Sequence, residues 1–333
     1  MQKISLLFCC LQLCTACAQK SASEQGLVSG GQTISVGQVT DDVTIDDESF
    51  NFSVWEGIAR AGQTYGVEIR GLVPKNEDGE QAAIQRLIDE NTDLIVTAGY
   101  TMGLVTNQMA LANPSQKFIL IDAESNAPNV TGVLFQVDKA AFLAGYLAAG
   151  MSKTGKVATY GGMKIPTVTA FMNGFKNGIE NYNQSKGAAV QLLGWDGENG
   201  LFLGDFTSND KARMLTQDLI NQGADIIMPV AGPAGLVSAS LCLSINSCLV
   251  IGADTDWARV TPEYRDALLS SVLKRSDVVV FKLIGQVLDG TLTGGTVTFG
   301  LKEGAVDLAP YHATVPSSLQ DEVNALKQQQ IGG

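Results

Sequence analysis

A chain whose β-rich runs and helix-period stretches take turns has little choice of fold: strands separated by helices pair in parallel, with helices on both faces of the sheet. Here the run ISVGQV at 34–39 precedes a helical pattern over 49–65, and the run 67–73 follows. Helices over 80–90 and 102–112 then alternate with runs at 93–98 and 117–122. A fifth run, 130–137, leads into an apolar helix over 139–151, after which KVATY at 156–160 opens a second cycle. That cycle has helices over 168–182, 210–222 and 235–243 and strands at 188–194, 225–230 and 248–252. Helices over 268–275 and 278–288 and a strand at 297–299 complete the pattern.

At 333 residues the chain suits two domains, and two domains imply a cleft. The expected fold class is α/β, with two doubly wound parallel-sheet domains joined by a hinge with several crossovers. Residues 33–137 with about 256–290 form the N-terminal domain, and 138–255 with about 291–325 the C-terminal one. The hinge crossings are expected near Val137 and Ala253.

The first residues read as a leader. Lys3 precedes an apolar stretch over 4–13 that is too short to span a bilayer but right for a signal peptide, and small residues follow before Cys17. Residues 1–16 would then be the signal peptide and 17–32 a lipid-anchored flexible linker. Cys17 after Thr15 and Ala16 resembles a bacterial lipobox, whose diacylated cysteine supplies two-chain anchoring. Ala16-Cys17-Ala18 also reads as an A-x-A cleavage site, and both readings stand. Beyond the leader only Cys242 and Cys248 remain, and an exported compartment permits either a disulfide between them or two free thiols in a turn.

A net charge of −12 excludes nucleic acid as a partner, because backbone binding needs clustered Lys and Arg. In open parallel sheets ligands lie beyond the C-terminal ends of the strands, so the loops there are the place to look. The first of them carries Asp46 and Asp47 before a helix that Ser49, Phe50 and Asn51 begin. Taken alone, this is plain helix capping by Asp47, with Phe50 in the core.

The stretch from Ile45 through Asp46, Asp47, Glu48, Ser49 and Phe50 to Asn51, followed by Trp55-Glu56-Gly57, resembles the opening motif of the basic membrane lipoproteins, the purine nucleoside receptor A-like family. The resemblance runs on through Gly99-Tyr100, FILID ending at Asp122, DKAAFLAGY from Asp138, Gly174-Phe175, and Gly204-Asp205-Phe206. It then takes in AGPAG around Gly232, IGADTD around Asp254 and SSVLKR around Lys274. Asp205, the Ser208-Asn209-Asp210 run and Pro233 depart from the family pattern, and Pro233 removes a backbone donor.

The resemblance implies the type I periplasmic-binding-protein fold and a non-enzymatic role: a solute-binding lipoprotein on the extracytoplasmic face of the cell membrane. It would act as a monomer without metal or cofactor and hand a purine nucleoside (adenosine, guanosine or inosine) to an ABC transporter permease. It also implies a base stacked between Phe50 and Phe206, a base-edge contact at Asp122, and ribose contacts at Asp254, Lys274 and Gly232 with Asp46 or Asp47 opposite. Asn51, Gly99 and Tyr100 complete the expected ligand set. The bland roles for Asp254 and Lys274 are a strand-end cap and a solvated lysine.

Two other classes compete. A hydrolase needs a base, and the lone histidine, His312, lies near the C-terminus away from the cleft loops; zinc spacing and a phosphate-binding P-loop are absent. A same-fold binding protein for a sugar or other small polar metabolite would use the same residue types.

Overall fold

The computed structural model describes residues 33–41, 43–75 and 77–332. The expected signal peptide, the expected anchor Cys17 and the expected linker lie outside the described residues. The first cycle folds as β1 (Ser35–Thr40), α1 (Phe50–Tyr65), β2 (Glu68–Leu72), α2 (Glu77–Asp89), β3 (Leu94–Ala98), α3 (Gly103–Ala112), β4 (Lys117–Ile121) and β5 (Val130–Phe135). The second runs through α4 (Val137–Met151), β6 (Lys156–Gly161), α5 (Pro166–Lys186), β7 (Gln191–Leu193), α6 (Asn209–Asn221), β8 (Ile226–Val230), α7 (Leu236–Ile245), β9 (Leu249–Asp254), α8 (Trp257–Val260) and β10 (Leu268–Lys274). Then come α9 (Ser276–Leu288), β11 (Gly295–Phe299), β12 (Val306–Leu308) and α10 (Ser317–Gly332).

These strands form two six-stranded sheets, in the orders β11-β5-β4-β3-β1-β2 and β12-β10-β9-β8-β6-β7. Every pairing is parallel except that of β10 with β12. Strands such as β3 (LIVTA) and β8 (IIMPV) are buried along their whole length, which is why they read as unbroken apolar runs. Helix α1 stops at Gly66, whose left-handed φ of 73° lets its N–H bond back to the carbonyl of Gly62.

Three expectations need correction. Residues 268–274 are not a helix of the first domain but strand β10 of the second sheet, paired in parallel with β9. A short apolar run buried on both faces carries no period that separates strand from helix. Strand β11 was expected in the second domain and instead edges the first sheet, beside β5. The chain therefore crosses between lobes at 136, 275 and 300–305. These crossings lie side by side, with Gln136 N–H donating to Phe299 O at 2.9 Å and Arg275 N–H to Ala305 O at 2.8 Å. Val137 sits at a crossing, whereas Ala253 lies inside β9 and does not.

In the second lobe α4 and α5 approach closely because glycines face carbonyl oxygens across the contact. A Cβ on Gly178 would lie 2.0 Å from Phe142 O, and one on Gly145 2.0 Å from Phe175 O. Gly178→Ala is expected to lower stability by about 1–3 kcal/mol through overpacking against backbone that has no rotamer to yield. Urea denaturation would measure it, and wild-type stability would mean the two helices separate freely.

Candidate functional site

The C-terminal ends of both sheets face one cleft, and the lobes meet across it. Asp122 follows β4 in the first lobe, and Asp254 ends β9 in the second. Both are buried and both hold left-handed backbone, with φ of 67° and 68°. Aspartate tolerates that region better than most residues, but two such positions at corresponding strand ends mark sites where the carboxylate is wanted more than relaxed backbone.

Lys274, at the end of β10 and only 4% exposed, joins them. Its Nζ donates to Asp122 Oδ2 at 2.5 Å, across the lobes. Oδ1 of Asp254 stands 3.4 Å from the same Nζ without hydrogen-bond geometry. From the first lobe Ser49 Oγ reaches Asp254 Oδ2 at 3.4 Å. The ammonium also lies 4.9 Å from the ring centroid of Phe50 and 5.3 Å from that of Phe171, within cation–π range. Burial alone would push Lys274 down, but the facing carboxylates outweigh it and hold it above its ordinary value. Burial also pushes the Asp122 carboxyl up, against the pull of Lys274 and with the help of Asp254. Two carboxylates and one ammonium carry a net negative charge in a low dielectric, which favours the protonated forms of Lys274 and Asp122.

Asp47 anchors the start of α1. It accepts from the backbone N–H groups of Ser49 and Phe52 at 2.9 Å each and of Asn51 at 3.0 Å. Burial raises its carboxyl to about 6 against the lowering by those bonds, and Asp254 adds to the rise. The capping role expected of it is real, yet the same carboxylate lines the cleft. Asp46 does not: it is exposed on the preceding turn, so Asp47 alone of the pair lines the site. Asn51 gives its Nδ2 to Asp41 at 3.3 Å, and its buried Oδ1 has no donor.

Phe50 and Phe206 line the cleft from opposite lobes. Phe206 rests on backbone, for a Cβ on Gly162 would lie 2.4 Å from its ring and one on Gly232 3.5 Å from its own Cβ. Asp205, beside it, turns back into its own loop, accepting from Thr207 N at 2.9 Å, from Ser208 N at 2.7 Å and from the Ser208 hydroxyl. Gly99, Tyr100, Gly232 and Pro233 also line the cleft, Gly232 in contact with Phe206.

Several lining residues escaped the sequence reading. Thr167, Val168 and Phe171 come from the first turns of α5, and Asp41 from the end of β1. Phe171 and Val168 read as helix core because the first lobe, which turns them into a cleft wall, is remote in sequence. Asp41 stood in an acidic run whose members look alike. Cys242 and Cys248 are joined in a disulfide, with Cα atoms 5.0 Å apart across the turn at Asn246.

Among known proteins, the chain is 28% identical over 318 residues to basic membrane protein A of Borreliella afzelii, covering 93% of this chain and 91% of that one. It is 30% identical to an uncharacterised lipoprotein of Pyrococcus furiosus, covering 84% of this chain and 71% of the relative. An ABC transporter solute-binding protein of Aeropyrum pernix K1 superposes with a TM-score of 0.80 at 26% identity, over 90% of this chain and 92% of that one. A glucose-galactose binding protein of Geobacillus stearothermophilus shares the fold at a TM-score of 0.61 and 16% identity, over 86% and 99% of the two chains. The family model for Bmp, the PnrA-like ABC transporter substrate-binding proteins, matches residues 34–332, and with its two mostly parallel sheets the chain belongs to that family.

Proposed function

We propose that the protein is an extracytoplasmic lipoprotein that captures a purine nucleoside in this cleft and delivers it to an ABC transporter permease. The observation that carries the reading is one aromatic ring from each lobe beside a wall of carboxylate and amide oxygens, of which Asn51 Oδ1 is buried without a hydrogen bond and Asp254 Oδ1 meets only the Lys274 ammonium, at 3.4 Å and without hydrogen-bond geometry. A flat base suits two rings, and its N–H groups with the ribose hydroxyls supply donors for such oxygens. On this reading Asp122 takes the base edge, Asp254 and Lys274 the ribose, and Asp47 and Asn51 close from the first lobe. Ligand docked on one lobe favours the closed state, with bending at the crossings near 136, 275 and 300–305.

Thermal unfolding of the protein from Ser21 onward, stripped of ligand by unfolding and refolding, tests the reading. The panel is adenosine, guanosine, inosine, cytidine, uridine, ribose and galactose. A ligand at 100 times its Kd stabilises by about 2.7 kcal/mol, and purine nucleosides alone are expected to do so. A shift with a sugar alone would move the assignment to a sugar receptor. Phe206→Ala should weaken nucleoside binding by roughly 1–3 kcal/mol, the loss of one base–aromatic stack, and unchanged affinity would remove Phe206 from the site. Cys17→Ala should release the protein from the membrane fraction; retention there would show that Cys17 is not the anchor.

A further inference from the structure

The stretch Trp55-Glu56-Gly57 of α1 lines no part of the cleft. Trp55 packs against the core of the first lobe, and a Cβ on Gly57 would lie 2.6 Å from Asp277 O, so α1 is pressed onto α9 of the same lobe. Glu56 reaches the second lobe instead. It accepts from both terminal nitrogens of Arg259 in α8, Nη1 to Oε1 at 2.8 Å and Nη2 to Oε2 at 2.7 Å. A parallel fork of this kind fixes orientation as well as distance.

Both partners stand on rigid supports. Arg259 follows Asp256, which caps its turn by accepting from Ala258 N–H at 3.1 Å, and the fully buried Trp257, whose Nε1 donates to Ala253 O at 3.0 Å. Beside the same turn the Thr255 hydroxyl donates to Glu48 O at 2.9 Å, again across the lobes. Glu48 holds a φ of 56°, a left-handed backbone that is uncommon and costly for a glutamate. The start of α1 is therefore tied to 255–259 at two points. A polar cavity next to them extends to Arg275 and Asp277, at one of the crossings between lobes. Rotation about the crossings tilts α1 against 255–259, and a two-bond fork tolerates little tilt before one bond is lost.

The pair is joined to the ligand groups without lining their site. Glu56 lies on the helix that Phe50 and Asn51 begin, and Arg259 on the turn that follows Asp254. We infer that Glu56 and Arg259 are positioning residues: their ion pair latches the lobes together, so that it sets the closed-to-open ratio and, through that ratio, the affinity of the cleft for its solute. The inference rests on the lobe closure described above and not on the identity of the solute.

Electron–electron distance measurement between spin labels at Gln108→Cys in α3 and Met214→Cys in α6, one on each lobe, reads the ratio. The preparation from Ser21 onward keeps the whole compact unit Thr33–Gly333, and its two native cysteines are bonded to each other, so only the introduced ones take the label. Arg259→Ala should lower the closed-to-open ratio about fivefold, the upper end for an ion pair whose side chains are 54% and 29% exposed, and raise the Kd for inosine by up to that factor. Glu56→Ala should match it and the double variant should open no further, while Arg259→Lys, which keeps the charge but not the fork, should recover part of the loss. In about 1 M salt the wild type should approach the variants. Three results would overturn the latch: wild-type distance distributions in both single variants; single effects that add in the double variant; or a wild type that shows only the open separation, both free and with inosine, guanosine, ribose or galactose. A wild type that closes with a sugar but with neither nucleoside would count against the nucleoside reading alone, and the same variants with that sugar would then decide the latch.

Discussion

Lys274→Met is expected to lower the unfolding free energy by about 3–5 kcal/mol at pH 7, the usual consequence of removing one partner from a buried ion pair. Methionine keeps the length and the apolar stem beside Phe50 and Phe171, so packing changes little. What changes is charge: Asp122 and Asp254, both buried, lose the ammonium that stands 2.5 and 3.4 Å from them. Because Asp122 belongs to the first lobe and Lys274 to the second, the same substitution also removes the ion pair that joins the lobes across the cleft.

The sign of its pH dependence follows from Asp122. Burial already holds that carboxyl above its ordinary value, and the Lys274 ammonium opposes the rise, so without the lysine the carboxyl moves higher. A group raised in the folded state contributes stability at low pH and loses it as pH rises through the folded value. The deficit of Lys274→Met should therefore shrink between pH 7 and pH 5. The double variant Asp122→Asn/Lys274→Met should recover part of it even at pH 7, since one buried charge is gone. Urea unfolding followed by tryptophan fluorescence at both pH values would measure this. A single variant within about 1 kcal/mol of wild type at pH 7 would mean that the ammonium contributes nothing net to the fold.

The alternation of strands and helices was legible because parallel strands buried on both faces leave apolar runs that helices punctuate. It failed at β10, where LLSSVLK mixes serines into the run. Those serines are satisfied by distant chain: Ser270 Oγ donates to Ala309 O at 2.8 Å, and Ser271 Oγ accepts from Trp257 N–H at 3.2 Å. No local pattern announces such partners. The sheet that β11 joins was hidden for a related reason, since GTVTF is exposed along most of its length and its place depends on where the chain crosses. At the site, Asp122, Asp254, Phe50 and Phe206 could be found because they sit at strand ends or in motifs with a family resemblance. Thr167 and Phe171 could not, because what makes them a cleft wall is the opposing lobe.

Asp47 carries the other large effect. Its carboxyl stands at about 6 in the fold against 3.8 ordinarily, and at 5% exposure solvent does little to soften the difference. The folded value lies above the unfolded one, so this group's contribution is fully present below about pH 4 and lost as pH rises through about 6. A shift of roughly two units corresponds to about 3 kcal/mol. Wild type minus Asp47→Asn, measured by urea unfolding from pH 4 to pH 7, should therefore fall by about that amount, because asparagine still caps α1 but does not titrate. A flat difference would show that the buried carboxyl keeps its ordinary proton affinity. Binding separates a capping residue from one that also meets the ligand. If ionised Asp47 accepts a donor from the nucleoside, wild-type affinity should tighten as pH rises through 6 while the Asp47→Asn variant shows no such gain. Parallel pH profiles for the two proteins would leave Asp47 as a helix cap alone, and the fold would then be holding a buried charge at neutral pH without any return from the ligand.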